Sequence, residues 1–448
     1  MRRFEFKEGS SYKFWEIVVE GTSYTARYGK VGTEGQTQTK KFATAEKAAA
    51  EAEKKIREKT GKGYKEVAAA APAPAGAKPD TDDRAAEFAV RADELQAAGD
   101  PWGQRIALNI ALLATAPKSA ERKKLIKELA ALDKEHGKHF FGAKLQELMQ
   151  EDEFEKVARL TWEYGYIVRA RIGQPEYDFS GPDAEAVIAA VMASPASEFL
   201  RELTIGLTSF EGGGLEGAHD AIKKGIVHPH LESMHIGDFH GEEQEISWVN
   251  HGDVSKWFDK APNLRRLRLH GAGILFGKKL EHPTLQRLEI ETGGLPEKAV
   301  AAIAKAELPE LTHLEVWFGR ETYGGTTNIK ALRPLFSSKT LPKLEHLGLQ
   351  NSEMQDLIAT ELAKSKLLAA VSSVDMSMGT MRQPGAQAIL DNAASFKHLK
   401  SLNLNRNYIP ADLCSELRRV VGTIVNIGRQ ESADVYNGEE YFYTAVGE

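Results

Sequence analysis

Between residues 200 and 404 one hydrophobic motif recurs. An apolar residue is followed by two variable residues, a second apolar residue, one variable residue and a third apolar residue. The motif reads Leu200/Leu203/Ile205, Leu231/Met234/Ile236, Leu264/Leu267/Leu269, Leu285/Leu288/Ile290, Leu311/Leu314/Val316, Leu344/Leu347/Leu349, Val371/Val374/Met376 and Leu399/Leu402/Leu404. Successive copies are offset by 31, 33, 21, 26, 33, 27 and 28 residues. The closing i, i+2 pair is the alternation of a short strand with one buried face. The remaining residues of each period suit a return segment. A single unit cannot bury its apolar face alone, so the units must stack on one another. The pattern therefore predicts an α/β solenoid over residues 181–448, each unit a short parallel strand and a returning helix.

The segments before it follow other patterns. Phe14 to Glu20 is aromatic and β-branched and ends at Gly21, Thr22 to Tyr28 is a second short run, and Thr37 to Phe42 alternates again. These predict strands, punctuated by Gly29, Gly32 and Gly35. Thr44-Ala45-Glu46-Lys47 predicts a helix start, with an Ala/Glu/Lys-rich helix to about Lys59 and a stop at Gly61. Residues 68–83, AAAAPAPAGAKPDTDD, are low-complexity and lack apolar periodicity, the composition of a flexible linker. From 84 to 175 apolar residues such as Phe88, Leu95, Ile106, Leu125, Leu132 and Leu145 recur at helical spacing. The expected domains are 1–67, a linker at 68–83, a helical capping domain at 84–180 and the repeat region at 181–448.

Charge divides the chain at the same place. The 448 residues carry a net charge of −6, but residues 1–67 hold 15 Lys/Arg against 10 Asp/Glu, so the remainder is strongly acidic. A basic module on an acidic body points to an anionic partner for the first part alone. One cysteine, Cys414, excludes an internal disulfide and a cysteine metal cluster. No window reaches the roughly 18 apolar residues of a membrane helix, and the charged start does not resemble a signal sequence. A cytoplasmic protein without a membrane partner is expected.

The repeat period brackets that of leucine-rich repeats, and the last unit, LKSLNLNRNYI (399–409), carries Asn407 and Ile409 at the downstream positions of such a repeat. Residues 311–448, with VWFGRETYGG and LEHLGLQNSEM, resemble a bacterial family of cytoplasmic leucine-rich-repeat proteins that often carry WGR domains. Residues 91–172 are similar to a helical domain accompanying such repeats, through Ala92-Asp93, Gly99-Asp100-Pro101, His136-Gly137, Trp162 and Gly165-Tyr166-Ile167. Residues 28–64 resemble the WGR domain itself, a small α+β module of poly(ADP-ribose) polymerases and many bacterial proteins. YGKVGTEGQTQTKKF is followed by an Ala/Lys helix and Lys59-Thr60-Gly61-Lys62-Gly63-Tyr64. In the polymerases the domain contacts DNA near breaks. Here the signature Trp and Arg are Tyr28 and Lys30, and Lys lacks the planar bidentate fork of Arg. The resemblance implies a nucleic-acid site at Tyr28, Gly29, Lys30, Lys40 and Lys41, where lysines would neutralise phosphates and Tyr28 would stack.

No enzymatic constellation is legible. Gly212-Gly213-Gly214 lacks the lysine of a phosphate loop, no Gly-x-Ser-x-Gly elbow occurs, and Cys414 reads as a packing residue. His313 and His346 precede the second apolar position in consecutive repeats, which sets them side by side about 4.8 Å apart. They make half a zinc site without an obvious third ligand, so no metal or cofactor is assigned. His228-Pro229-His230, with His235 and His240, reads equally as a cluster or as a loop. The outward strand positions form the expected partner surface: Arg266, Arg268 and His270, then Glu289 and Glu291, then His313, Glu315 and Trp317, then His346. The expected function is a non-enzymatic scaffold binding a protein on the concave face of the repeats. The alternative is a DNA- or RNA-binding regulator acting mainly through the WGR-like domain.

Overall fold

The computed structural model describes residues 2–8, 11–20, 22–30, 36–42, 44–62, 64–67, 81–337 and 339–447. It divides into two compact units, Met1–Arg84 and Ala85–Glu448. Gly32 and Gly35 of the glycine-rich turn, and residues 68–80 of the tract read as a linker, lie outside the described residues. Residues 81–83 open a helix.

In the first unit β1 (Arg2–Glu8), β2 (Ser11–Glu20), β3 (Ser23–Lys30) and β4 (Gln36–Lys41) precede α1 (Ala45–Gly61) and β5 (Lys65–Val67). The five strands form an antiparallel sheet in the order β4-β3-β2-β1-β5. Alternate strand residues Trp15, Ile17, Tyr24 and Ala26 are buried, as are Ala52 and Ile56 of the helix, with Phe4 closing the core against Trp15 at 5.5 Å. The Thr44 hydroxyl accepts from the Lys47 N–H and caps α1. β1 was not expected. Its signal is the alternation of Phe4 and Phe6 with charged residues, obscured because those charges also suit a solvated start.

The second unit begins within α2 (Thr81–Ala97) and continues through α3 (Pro101–Ala114), α4 (Ala120–Phe141), α5 (Ala143–Leu148) and α6 (Phe154–Val157). The helical pattern expected to continue to 175 ends there. β6 (Ala158–Glu163) and β7 (Tyr166–Ile172) form an antiparallel hairpin turned by Tyr164 and Gly165, both with positive φ. The first half of β7, Tyr166–Val168, is buried on both faces, so its apolar residues run together before the strand alternates through Arg169 and Arg171.

The chain continues through α7 (Ala184–Ala193), β8 (Glu202–Ile205), α8 (Glu216–Lys224), β9 (Ser233–Ile236), β10 (Asn250–Asp253), β11 (Arg266–His270) and β12 (Ala272–Leu275). Then come β13 (Arg287–Glu291), α9 (Glu297–Ala304), β14 (His313–Gly319), α10 (Ile329–Phe336), β15 (His346–Ser352) and α11 (Gln355–Leu362). The unit closes with β16 (Ser373–Asp375), α12 (Gln383–Asp391), β17 (Ser401–Asn403), α13 (Ala411–Val420), β18 (Val425–Asn426) and the hairpin β19 (Asp434–Tyr436) and β20 (Glu439–Tyr441). The result is a mixed α/β structure around one eleven-stranded sheet, ordered β18-β17-β16-β15-β14-β13-β11-β9-β8-β7-β6 and parallel from β7 to β18. Among the described residues no helix is long and apolar enough to cross a membrane.

The eight apolar triads coincide with the sheet register. Leu203, Met234, Leu267, Leu288, Leu314, Leu347, Val374 and Leu402 pair in one continuous ladder. None of the triad side chains is more than 3% exposed. Helices α8 to α13 share this core. Two connections depart from strand-plus-helix. The 21-residue offset between Leu264 and Leu285 has no room for a helix, and β12 fills it by pairing with β10 of the preceding connection. Asn407, fully buried, donates to the carbonyls of Met376 and Leu404 and accepts from the Met381 N–H, tying adjacent units together.

The irregular connection around β10 is held by a buried polar relay. An indole N–H can only donate, so Trp257 Nε1 donates to His219 Nδ1 at 2.8 Å. His219 Nε2 then donates to His251 Nδ1 at 3.0 Å, and His251 Nε2 to the His270 carbonyl at 3.0 Å. Every ring nitrogen is used with both imidazoles neutral. Burial pushes His251 down to about 4, and burial together with the neighbouring His251 carries His219 well below 6.5. The unfolded chain takes up protons below about 6.5 while these folded rings do not. Stability is therefore expected to be fully present above that pH and to fall as the pH drops toward 4. Thermal midpoints across this window check it; a midpoint that rises on acidification contradicts the neutral relay.

Candidate functional site

Because strand residues alternate, fixing the triads on the helix-covered face fixes what the opposite face presents. One row across that face runs Glu202, Ser233, Arg266, Arg287, His313, His346, Ser373, Ser401. The next runs Thr204, His235, Arg268, Glu289, Glu315, Gly348, Asp375, Asn403. A third places His270 beside Glu291 and Trp317 beside Gln350.

The charges on these rows are matched. Arg268 donates to both carboxylate oxygens of Glu291 at 3.0 and 2.9 Å, and His270 Nδ1 lies 2.9 Å from the same carboxylate. Burial alone would raise Glu291, but His270 and Arg268 override it and bring the group down to about 2. Arg287 pairs with Glu289 at 2.6 Å, and Arg171 of β7 with Asp238 at 2.7 Å. Arg266, by contrast, extends beside Arg287 and Ser233.

At the centre, His313 and His346 stack with ring centroids 4.1 Å apart and planes 9° from parallel. His313 Nε2 lies 3.3 Å from Glu315 Oε2, and His346 Nδ1 lies 3.1 Å from Ser373 Oγ. His346 Nε2 is buried without a hydrogen-bond partner. Burial and the facing His313 hold His346 down at about 4. Burial pushes Glu315 up, yet hydrogen bonds from His313 and Gln350 leave it below the usual carboxylate range. Sequence reasoning placed the two histidines correctly side by side but found no third ligand. Glu315 places a third potential donor beside them: it lies two residues beyond His313 on the same strand, hence on the same face. Trp317 is half-buried and its indole N–H has no partner. Trp248, at 60% exposure in a short turn before β10, is an exposed aromatic that no sequence pattern marked.

Other expected sites separate. His228 is fully buried between the carbonyls of Ser197 and Met192, and His230 stacks on Phe199, so no cluster forms there. Cys414 is buried against the Ile409 carbonyl, and burial pushes its thiol up.

In the first unit Gly29 and Lys30 close β3, and Tyr28 is 37% exposed opposite Gln36. Lys40 pairs with Tyr24, about 13 Å along the ladder from Tyr28. Cross-strand partners share a face, so Lys40 leaves on the core side with Tyr24, while its neighbour Lys41, opposite Ser23, leaves on the other. Both lysines are exposed. Lys59 of α1 stands over the rings of Trp15 and Tyr64 at 5.8 and 5.0 Å.

Residues 1–71 match the family described as the WGR domain. The uncharacterized protein YfeS of Escherichia coli K12 is 46% identical over 65 residues, and protein YehF of the same organism is 43% identical over 68. These stretches cover 14% and 15% of this chain but 27% and 25% of those proteins, so the chain spans about a quarter of the length of the curated relatives it matches. A crystal structure of a protein from Bacteroides fragilis is 26% identical, covers 99% of both chains and superposes with a TM-score of 0.54.

The two faces of the sheet should respond differently to substitution. Leu347→Ala removes a fully buried ladder residue and is expected to cost about 2–5 kcal/mol. Arg266→Ala on the open face should stay within about 0.5 kcal/mol. Arg268→Glu should also destabilise, because it sets a carboxylate against the buried Glu291. Denaturant unfolding of the three variants tests the assignment, and an Arg266→Ala cost equal to that of Leu347→Ala would reverse the faces.

Proposed function

We propose that the second unit is a leucine-rich-repeat solenoid acting as a non-enzymatic scaffold, whose open sheet face binds a protein partner. The observation that carries this reading is the composition of that face: ordered rows of polar side chains in which Arg268, His270, Arg287 and His313 each lie within about 3.3 Å of a carboxylate. A polyanion would meet Glu289 beside Arg287 and Glu291 beside Arg268, with Glu315 next in the row. A mixed-charge protein surface can complement both signs, and Trp317 supplies an aromatic of the kind enriched at binding hot spots. The capping helices and the face residues hold structural and recognition roles, with no catalytic assignment among them.

Capture experiments should compare the wild-type full chain with an Arg266→Glu/Trp317→Ala variant of unchanged thermal midpoint. Partners held by the first and lost by the second support the scaffold. Identical capture by both, or turnover of a nucleotide by the full chain, overturns it.

A second reading concerns the first unit alone, and rests on its WGR match and its positive charge. We infer that it contacts the backbone or an end of DNA or RNA, with Tyr28 and Gly29-Lys30 at one end of the β3–β4 ladder and Lys40 and Lys41 at the other. Contacts of this kind are salt-sensitive and indifferent to sequence. Titration of the full chain with nicked, blunt and single-stranded DNA and with RNA should show binding that weakens steeply with salt and drops in Lys30→Glu and Lys40→Glu/Lys41→Glu. Absence of binding even at low salt would leave the domain as a protein-docking module.

A further inference from the structure

We propose that His313, Glu315 and His346 form a site for a divalent transition cation, best matched to Zn²⁺, with one coordination position facing the open side of the sheet. Among the described residues these three form the one cluster of at least three potential ligands so closely set, their donor atoms all within 4.8 Å of one another. The architecture is simple. Residues i and i+2 of β14 project from one face, and the register places His346 of β15 directly beside His313. Two imidazoles and a carboxylate are a donor set that Zn²⁺ takes in four-coordinate sites, completed by water or by a group from outside.

Three observations support the assignment. His346 Nε2 is buried and unpartnered; a cation would satisfy it. Its Nδ1 is already oriented by the Ser373 hydroxyl, the outer contact that commonly fixes a ligating ring. Gly348 separates Glu315 from Asp375 in the register. A Cβ there would stand 2.9 Å from Gln350 Nε2 and 3.0 Å from Glu315 Cγ, so glycine leaves the Glu315 side chain room to move. Metal–ligand bonds of about 2.0–2.1 Å place neighbouring donors about 3.3 Å apart. Closure from the present spacing is therefore about 1.5 Å at most, within reach of side-chain rotation. Parallel stacked rings cannot both aim in-plane lone pairs at one ion, so loading turns His313 out of the stack while His346 keeps its Ser373 contact. His313 then carries its proton on Nδ1 and frees Nε2, with no net proton lost. The other close histidine pair, His219 and His251, has every ring nitrogen engaged in its relay and cannot compete.

The test is titration of the chelator-stripped full chain with Co²⁺, followed by Zn²⁺. One equivalent of Co²⁺ should develop the absorption of a four-coordinate N/O site, Zn²⁺ should displace it, and Zn²⁺ should raise the thermal midpoint. Ser373→Ala should weaken binding roughly tenfold. Glu315→Gln, which preserves shape, and His346→Ala should each weaken it by more than roughly 100-fold, the upper range for an outer-shell loss. His240→Ala, an exposed histidine elsewhere, should bind like the wild type. Should His346→Ala fail to fold, Glu315→Gln decides. No Co²⁺ or Zn²⁺ binding at millimolar metal, or equal binding by wild type and Glu315→Gln, overturns the proposal.

Discussion

The ladder of apolar side chains through Leu203, Met234, Leu267, Leu288, Leu314, Leu347, Val374 and Leu402 is the contact on which the second unit depends. Each strand is only a few residues long and has little reason to exist alone. It gains its stability from an apolar neighbour on either side and a helix or tight turn behind. A slip of one residue in any strand would turn its apolar pair toward solvent and its charged residues into the core, so the register is strongly specified. Uniform register then makes the open face regular. The same position in every repeat contributes to the same row, and neighbours in a row are residues about 30 apart in sequence.

This regularity needs a start, and Arg105 shows how it is provided. The side chain is 4% exposed on α3 and pairs with Asp133 of α4 at 2.8 Å. It also donates to the Gly165 carbonyl in the turn of the β6–β7 hairpin, and lies about 5 Å from the rings of Trp102, Phe140, Phe141 and Trp162. One buried cation thus joins two helices to the hairpin that begins the sheet. Removing it would leave Asp133 and a turn carbonyl without their donor, the costly way to break a buried pair. The antiparallel β6 ends the sheet on this side, and the short β18 ends it on the other.

The open face and the first unit differ in how their charges are arranged. On the face, Arg268 and Arg287 are matched to carboxylates, and Glu291 is held ionised by its hydrogen bond with His270 and by Arg268. Around Gly348 the pattern changes to histidines, carboxylates and amides, with a polar atom left unsatisfied at His346. In the first unit the exposed lysines Lys40 and Lys41 lie on a sheet of net positive charge.

The sequence by itself determined the elements whose signal is local and periodic. The eight triads mark their strands because burial on one face forces an i, i+2 repeat. Phe14–Glu20 and Thr44–Lys59 mark a strand and a capped helix because alternation and N-cap chemistry act within a few residues. The adjacency of His313 and His346 was legible for the same reason, since equal positions in consecutive repeats become lateral neighbours. Other features were set only by tertiary structure. Tyr166–Val168 of β7 are buried on both faces, so alternation is lost there; β10 and β12 exist because they pair across two connections that lack an α-helix. The His219–His251 relay joins residues 32 apart in a direction no period encodes. The lean of Glu315 toward the stacked imidazoles, whose shared face the i, i+2 spacing already implies, and Arg268 as the committed partner of Glu291 also had to come from the fold. Both depend on how long side chains lean across neighbouring strands, a choice made by packing and charge after the backbone register is already fixed.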